Sequence, residues 1–402
     1  MLELEEARQR ILATLQPLSV ESVTLSAAPA RVLAETIVAP IDLPSCDNSA
    51  LDGYAVRAAD LSGARLEAPA ALRLAGQVAA GDISPVPVPP GSCVRLFTGS
   101  ALPAGADAVV AQEDSRGDPE QPGRVLFVEG VKPWENIRLR GEDVKRGAAL
   151  AQAGERVTAG LIGLLAASGR PEIQVRRRPR IGLLATGSEL VEPGHPLPPG
   201  KIYESNRQAL APLLARAGAL PRIWPLVADT LPETKRALTE AFAECDGLVT
   251  TGGVSVGELD FVKQALQEIG GSMDFWKVSV KPGRPFVFGR WREKFLFGLP
   301  GNPVSAVVTF LLLVRPALAQ WQGAKDLGPP ERFCVLAEDL ANPGERRHFL
   351  RVRIDEQGKA RSAGPQASHM LSSLASANGL VDVPPHAKLP AGGMVRVILL
   401  DD

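Results

Sequence analysis

Between Arg176 and Gln322 the sequence alternates between short apolar runs and longer segments whose apolar residues recur at helical spacing. The runs predict strands and the periodic segments predict helices. Because a crossover helix returns the chain to a parallel neighbour, repeated units of this kind build a mostly parallel sheet with helices on both faces. The alternation therefore predicts a doubly wound α/β domain in the middle of the chain.

The predicted elements fix which loops can carry a site. In chain order they are strand Ile181–Ala185, helix Asn206–Ala217, strand Arg222–Val227, helix Leu231–Ala243, strand Leu248–Thr251, a helix after Asp260, strands Trp276–Val280, Phe286–Phe288 and Phe295–Gly298, and helix Pro303–Gln320. Ligands of doubly wound sheets bind beyond the carboxyl ends of the strands. The loops that follow these strands are therefore the candidate site.

One such connection, within the stretch 248–263, can wrap an anion with backbone amides and hydroxyl donors. Its glycine and hydroxyl residues are Thr251, Gly252, Gly253, Ser255 and Gly257. Glu258 and Asp260 then place two carboxylates at the exit, and Mg²⁺ between carboxylate and anion would satisfy both. The alternative is an ordinary turn whose carboxylates support the positive end of the next helix. No P-loop lysine or GxGxxG order is present.

Two further loops carry polar groups. The first follows strand Ile181–Ala185 and contains Thr186, Gly187, Ser188 and Glu189. In the second, LPGNPVSA, Asn302 is placed to cap a helix and Pro303 to occupy its first position, which favours an anion at the free amides. Glu189, Asp229 and Asp260 suit a metal ion, since Mg²⁺ prefers oxygen ligands.

Positive charge is predicted beside these loops. The segment KVSVKPGRPF places Lys277 and Lys281 on one side of a predicted strand, with Arg284 close behind. Such cations suit a phosphate. Together with the carboxylates they predict a phosphorylated ligand handled with Mg²⁺.

The flanking segments predict other folds. An N-terminal helix is indicated by Ala7, Ile11, Leu12 and Leu15, and short strands with Gly/Pro turns fill Leu66–Leu150. Between them lies DNSALDGYA, which is too polar for an ordinary buried element. After Gly328 the short alternating runs return and predict a small C-terminal β-domain.

Composition limits the class of protein. The 402 residues are 45% apolar and carry a net charge of −1, which suits a globular protein and does not indicate nucleic-acid binding. The charged start of the chain does not read as a signal peptide, and the run Ala306–Val314 is too short to span a bilayer. Four scattered cysteines predict reduced packing residues in the cytoplasm. All four histidines are interpreted as ordinary surface or core groups.

Nine motifs in register carry a family resemblance. They are DNSALDGYA, LFTGSALPAGADAVV, IRLRGED, ATGSEL, IYESN, TTGGVSVGELDFVK, KPGRPF, LPGNPVSA and SHMLSSLASANGL. Together they resemble the MoeA family, the molybdopterin molybdenumtransferases, to which the C-terminal domain of gephyrin belongs. The resemblance implies an N-terminal helical and extended domain (1–40 and 145–175), a β-rich domain (41–144), an α/β molybdopterin-binding domain (176–327) and a C-terminal β-domain (328–402).

The same resemblance implies the reaction and the residues. Adenylylated molybdopterin and molybdate would give molybdenum cofactor and AMP with Mg²⁺, in a homodimer whose cleft lies between domains of both subunits. The implied partners are the adenylylating enzyme and acceptor molybdoenzymes. The family's functional residues fall on Asp52, Thr98, Asp143, Glu189, Asp229 and Asp260, with Pro300 and Pro303 shaping the loop that holds Asn302.

Two alternatives share part of this pattern. Enzymes that adenylylate molybdopterin contain a related α/β domain, but those that resemble this chain are usually that single domain, without β-rich domains. A gephyrin-like scaffold would bind a receptor peptide, and it would be marked by an additional domain and linker. The sequence favours molybdate insertion.

Overall fold

The computed structural model describes residues 1–82, 87–253 and 261–400. These residues form two compact units. The first comprises Met1–Glu35, Ala153–Val157 and Ile173–Asp402, and the second comprises Thr36–Gln152 and Thr158–Glu172. The predicted four-domain boundaries stay a prediction.

The helices and strands are numbered in chain order. The α-helices are α1 Leu4–Thr14, α2 Ala159–Ala167, α3 Asn206–Arg216, α4 Leu231–Glu244, α5 Phe261–Glu268, α6 Pro303–Thr309, α7 Arg315–Trp321 and α8 Leu371–Ser376, with a π-helical segment, Phe310–Val314, joining α6 to α7. The strands are β1 Val20–Thr24, β2 Ile37–Val38, β3 Asn48–Ser49, β4 Gly53–Val56, β5 Ala70–Val78, β6 Ser92–Leu96, β7 Ala108–Ala111, β8 Ser115–Gly117, β9 Arg124–Phe127, β10 Ile137–Arg138, β11 Ala149–Ala151, β12 Glu172–Arg176, β13 Arg180–Ala185, β14 Leu190–Val191, β15 Ile202–Tyr203, β16 Leu220–Ile223, β17 Gly247–Thr251, β18 Ser272–Trp276, β19 Val280–Lys281, β20 Val287–Trp291, β21 Lys294–Leu299, β22 Glu331–Leu336, β23 Leu340–Ala341, β24 Arg347–Ile354, β25 Lys359–Ser362, β26 Gly379–Val383, β27 Lys388–Leu389 and β28 Met394–Leu399.

The central sheet of the first unit has the strand order β16-β13-β17-β21-β20-β18. The first four strands are parallel, and β20 runs antiparallel to both of its neighbours. This confirms the prediction of a mostly parallel α/β sheet. The strand predicted at Arg222–Val227 lies earlier in the chain and is shorter, since β16 begins at Leu220 and ends at Ile223.

Helices cover both faces of this sheet. On one face Val249 packs in a cluster with Leu210 of α3 and Leu311 of the π-helical segment. On the other, the preceding residue Leu248 packs with Leu238 of α4 and Leu266 of α5. Adjacent strand residues point to opposite faces, so a strand buried on both sides must be apolar throughout. The continuous apolar run of β17 follows from this position.

The helical stretch Pro303–Trp321 is long and apolar enough to cross a membrane by length and composition. In the fold 89% of its apolar window is buried, as in the core helix of a soluble protein. Its π-helical segment ends one residue before the Arg315-Pro316 step, where proline removes an amide donor and its ring crowds the preceding turn.

The C-terminal sheet of the same unit has the order β19-β24-β25-β22-β28-β26. Its first strand comes from the KPGRP segment, and Lys281 pairs with His348. The predicted strand Trp276–Val280 is therefore wrong. Strand β18 ends at Trp276, Lys277 has a positive φ of 80°, and β19 belongs to a different sheet.

The second unit contains a sheet with the order β7-β4-β6-β5-β9-β8, which confirms the prediction of β-rich structure there. Val56 and Phe127 lie in one apolar cluster of this unit, and Ala55 and Val94 in another. Among the four cysteines, Cys46 is exposed, so its interpretation as a packing residue is wrong.

Candidate functional site

Three polar loops lie side by side at the carboxyl edge of the central sheet. Ala185, the last residue of β13, pairs with Thr251, the last residue of β17, and Thr251 pairs with Leu299 at the end of β21. The loops beginning at Thr186, Gly252 and Pro300 therefore start at the same level. This is the placement that the sequence predicts.

Residues from the start of these loops, together with the segments around Tyr203 and His369, line a cavity of about 630 Å³, here called the loop cavity. Among the residues predicted from sequence, Thr186, Glu189, Thr251, Gly252, Gly253, Pro300, Asn302 and Pro303 line it. Sequence reasoning did not place Tyr203, Glu204, Asn206, Ser305 and His369 there, although they also line it. His369 was interpreted as an ordinary histidine, and only its place inside the SHMLSSL motif could have marked it.

The glycine loop approaches the first loop very closely. Gly252 has a φ of 81°, and a Cβ on it would lie 2.4 Å from the Thr186 carbonyl oxygen. Gly253 has a φ of 64°, and a Cβ there would lie 2.7 Å from Thr186 Oγ1. Glycine is needed at both positions, because another residue would meet both backbone strain and a clash.

Replacing Gly252 with Ala is therefore expected to lower the free energy of unfolding by roughly 2–4 kcal/mol, combining left-handed strain with overpacking. The matched control is Gly270→Ala, since Gly270 has a φ of 86° and open space around its Cβ position. In the control the free energy of unfolding should fall only by the contribution of backbone strain, about 1 kcal/mol. Urea unfolding of both variants gives the comparison, and equal losses would contradict a close approach of the two loops.

Hydrogen bonds fix the outer part of the first loop. The Ser188 amide donates to Asp229 Oδ2 at 2.9 Å, and the Asp229 amide donates to Ser188 Oγ at 3.2 Å. The structure thus brings Ser188 and Asp229 together, beside the cavity-lining Glu189. Neither residue of this pair lines the loop cavity, nor does Gly187.

Thr186 presents an unused polar atom. Its side chain is buried, and its Oγ1 has no hydrogen-bond partner among the described residues. A buried hydroxyl without a partner is costly, so a ligand that reaches this wall of the cavity would relieve the cost.

The third loop is held by side chains from distant segments. Asn206 Nδ2 donates to the Gly301 carbonyl oxygen at 2.8 Å. Asn302 occupies the N-cap position of α6 and Pro303 the first turn, as predicted, but the Asn302 side chain makes no capping bond. Its Nδ2 instead donates to Ser368 Oγ at 3.1 Å, so this side chain ties the loop to the segment before α8.

A second cavity of about 560 Å³ adjoins the first and shares Pro285, Asn302 and Ser305 with it. We call it the cationic pocket, defined by Lys281, Arg284, Arg346 and His348. Its described lining contains no acidic residue. The structure therefore brings Lys281 and Arg284 together as predicted, whereas Lys277 lines neither cavity and lies with its Nζ 3.8 Å from the Trp276 ring centroid.

His348 is neutral in this pocket. Burial, assisted by the charge of Lys281, lowers the pKa of His348 to about 4. Its Nε2 is buried and has no partner among the described residues. Burial and the charge of Arg284 also lower the pKa of Arg346. The pocket thus concentrates positive charge without an internal counter-ion, which favours an oxyanion.

The lowered pKa predicts a pH dependence of stability. The unfolded histidine binds a proton below about pH 6.5 and the folded one only near pH 4, so folding loses free energy as pH falls between these values. In the wild-type protein this lowers the free energy of unfolding by roughly 2–3 kcal/mol between about pH 6.5 and pH 4, and His348→Gln should abolish that decrease. Urea unfolding at pH 7 and pH 4.5 tests this, with exposed His386→Gln as control. An unchanged pH slope in His348→Gln would contradict the assignment.

The second unit contains the other sequence-predicted residues. The Thr98 amide and hydroxyl both donate to Asp52 Oδ1, at 2.7 and 2.8 Å. These bonds hold the pKa of the Asp52 carboxyl below its usual range, with a smaller contribution from Arg95. Asp143 is exposed, and its amide donates to the Leu43 carbonyl oxygen at 3.1 Å.

Ser255 and Asp260 lie outside the described residues, so their predicted roles stay predictions. Within the described residues there is no group of three or more His, Cys, Asp or Glu side chains that could hold a metal ion. Glu189 is exposed, and its carboxylate forms no ion pair within the described part of the chain.

The part of the chain that forms the central α/β sheet and its polar loops matches a family model described as a probable molybdopterin binding domain. Three family models match in order: the MoeA N-terminal region (domain I and II) over residues 2–169, the probable molybdopterin binding domain over 182–320, and the MoeA C-terminal region (domain IV) over 334–400. The chain belongs to the MoeA family of molybdopterin molybdenumtransferases.

Individual relatives match nearly end to end. The molybdopterin molybdenumtransferase of Haemophilus influenzae is 40% identical over 384 residues, covering 94% of this chain and 93% of that protein. The Bacillus subtilis molybdopterin molybdenumtransferase is 34% identical and covers 98% and 93% of the two chains. The crystal structure of a molybdopterin biosynthesis MoeA protein from Pyrococcus horikosii superposes with a TM-score of 0.84 at 30% identity, covering 100% of both chains.

Proposed function

We propose that this protein inserts molybdate into adenylylated molybdopterin with Mg²⁺, releasing AMP and molybdenum cofactor. Membership of the molybdopterin molybdenumtransferases makes it a transferase of molybdenum cofactor biosynthesis. The observation that carries the finer proposal is the pair of adjoining cavities at the carboxyl edge of the sheet, because the reaction has two anionic substrates to hold.

The larger, mixed cavity suits the organic substrate. Thr186 and the Gly252–Gly253 backbone offer donors to phosphate oxygens, and Tyr203 and Leu371 offer apolar surface to a ring system. The cationic pocket suits molybdate, a compact dianion, because three cations converge there with no acidic residue in the described lining. This proposal assigns Lys281 and Arg284 to molybdate, whereas the sequence predicts that they bind a phosphate.

The described residues fit Mg²⁺ through Glu189. This ion keeps several of its waters and takes one or two carboxylates, so a single exposed carboxylate beside the phosphate-binding loop is a suitable ligand. Asp260 remains the second proposed ligand. When bound, Mg²⁺ supplies positive charge that neutralises the phosphates during cleavage. Asp229 and Ser188 would hold the loop that presents Glu189.

We also place Asp52, Thr98 and Asp143 of the second unit at the active site of a homodimer, and the enzyme in the cytoplasm. Size-exclusion chromatography with light scattering tests the dimer. The activity is tested by measuring AMP release from adenylylated molybdopterin and Mg²⁺, with and without molybdate. Molybdate-dependent release supports the proposal. Consumption of ATP with free molybdopterin would instead identify an adenylylating enzyme.

A further inference from the structure

We propose that Arg207 is a positioning residue that holds both carboxylate-bearing loops of the active site in place. Arg207 lies in the first turn of α3, outside the residues that touch the cavity, and its side chain is 1% exposed. This inference rests on the proposed function, because it concerns the geometry of Glu189 and Asp229 in that reaction.

The guanidinium reaches three separate segments. Its Nε donates to Glu204 Oε2 at 3.1 Å, and its Nη2 donates to Glu192 Oε1 at 2.7 Å. Its Nη1 donates to the carbonyl oxygen of Trp224. The planar guanidinium of arginine has three nitrogen atoms and can make all three bonds at once. A lysine has a single ammonium nitrogen and cannot reach the three acceptors with the same geometry.

Each partner leads directly to a functional loop. Glu192 comes three residues after Glu189, and the two residues flank the short strand β14. The chain from Trp224 runs to Asp229, and the Gly187 amide donates to the Val227 carbonyl oxygen at 3.2 Å on the way. Fixing both ends of this arrangement restricts how far Glu189 and Asp229 can separate.

The third partner closes the arrangement at the cavity wall. Glu204 lines the loop cavity but is only 2% exposed, and its Oε1 accepts from the Arg207 amide at 2.8 Å. A buried carboxylate must be paired, so Glu204 holds the guanidinium in place rather than acting on substrate. The Glu192 side chain is 39% exposed. Its bond to Arg207 can therefore be removed without disrupting the buried core.

The test uses Arg207→Lys, Glu192→Ala and the double variant. Each single change should lower kcat for molybdate-dependent AMP release by roughly 10-fold to 100-fold, with KM for molybdate changed by less than about twofold, because loop misplacement affects the reacting geometry. The double variant should lose little more than Arg207→Lys, since both changes disrupt the same contact between Arg207 and Glu192. The thermal midpoint of Glu192→Ala should stay close to the wild-type value, because the Glu192 side chain is partly exposed.

The matched controls are Arg236→Lys and Glu233→Ala, which alter an exposed arginine–glutamate pair of 2.6 Å on α4 and should leave kcat unchanged. Wild-type kcat in Glu192→Ala and Arg207→Lys would overturn the proposal, as would losses that merely follow the loss of folded protein. If wild type itself shows no molybdate-dependent release, the proposed function fails. Amide hydrogen exchange over residues 187–192 then decides. Faster exchange in both variants, but not in the controls, supports the positioning role of Arg207, and unchanged exchange overturns it.

Discussion

Replacing Glu189 with Gln is expected to lower kcat of molybdate-dependent AMP release by about 10²- to 10³-fold while the protein stays folded. The carboxylate lies at the loop cavity with no ion-pair partner among the described residues, so its charge is available to a ligand. The amide keeps the size but cannot supply the negative charge that Mg²⁺ needs. The measurement is a steady-state assay across Mg²⁺ concentrations.

Glu293→Gln is the matched control for this experiment. Glu293 is an exposed glutamate in the turn between β20 and β21, where β21 begins at the edge of the sheet opposite the site. Its replacement should leave kcat at the wild-type value. Full activity of Glu189→Gln at all Mg²⁺ concentrations would contradict the role of Glu189.

Replacing Lys281 with Met is expected to raise KM for molybdate roughly tenfold to a hundredfold, with little change in KM for adenylylated molybdopterin. The lysine lines the cationic pocket, and its described surroundings offer no acidic residue to neutralise it. Loss of one of three cations weakens the hold on a dianion. The two KM values, measured separately, check this result.

Lys359→Met serves as the control, because Lys359 is an exposed lysine on β25 of the same sheet and lines neither cavity. It should leave both KM values unchanged. If Lys281→Met raised only KM for adenylylated molybdopterin, the pocket would bind a phosphate of that substrate, which is the ligand that the sequence predicts for Lys281. If neither value rose, the pocket would not be a substrate site.

The central fold could be predicted from the sequence because its strands are buried on both faces. A strand such as β17 must then be apolar at successive positions, and Leu248 and Val249 pack in opposite clusters. The position of the loops after these strands could also be predicted. Strand ends at one edge of a parallel sheet bring their following residues together whatever the loop sequences are.

The break between β18 and β19 could not be predicted locally. The alternation in KVSVK is typical of a strand, yet Lys277 turns the chain with a positive φ. Leu2 pairs with this segment at the break, since its amide donates to the Lys277 carbonyl oxygen at 3.2 Å and its carbonyl oxygen accepts from the Ser279 amide at 2.8 Å. A contact between the two ends of so long a segment leaves no signal in the local pattern.

Only part of the cationic pocket could be predicted from the sequence, for a similar reason. Lys281 and Arg284 are close in sequence, but Arg346 and His348 reach them through the pairing of β19 with β24. Likewise the Asn302 side chain could be expected to cap α6, and only its distant partner Ser368 draws it away. Side-chain contacts with another sheet or loop therefore could not be predicted from the local sequence.

The most direct test of molybdate insertion is the ratio of its two products. Wild-type protein, adenylylated molybdopterin, Mg²⁺ and molybdate are incubated together, AMP is quantified, and active molybdenum cofactor is measured by reconstituting a cofactor-free molybdoenzyme. Molybdate insertion predicts one cofactor formed for each AMP released, and neither product in quantity without molybdate. AMP release that does not need molybdate, or that yields no active cofactor, would contradict it.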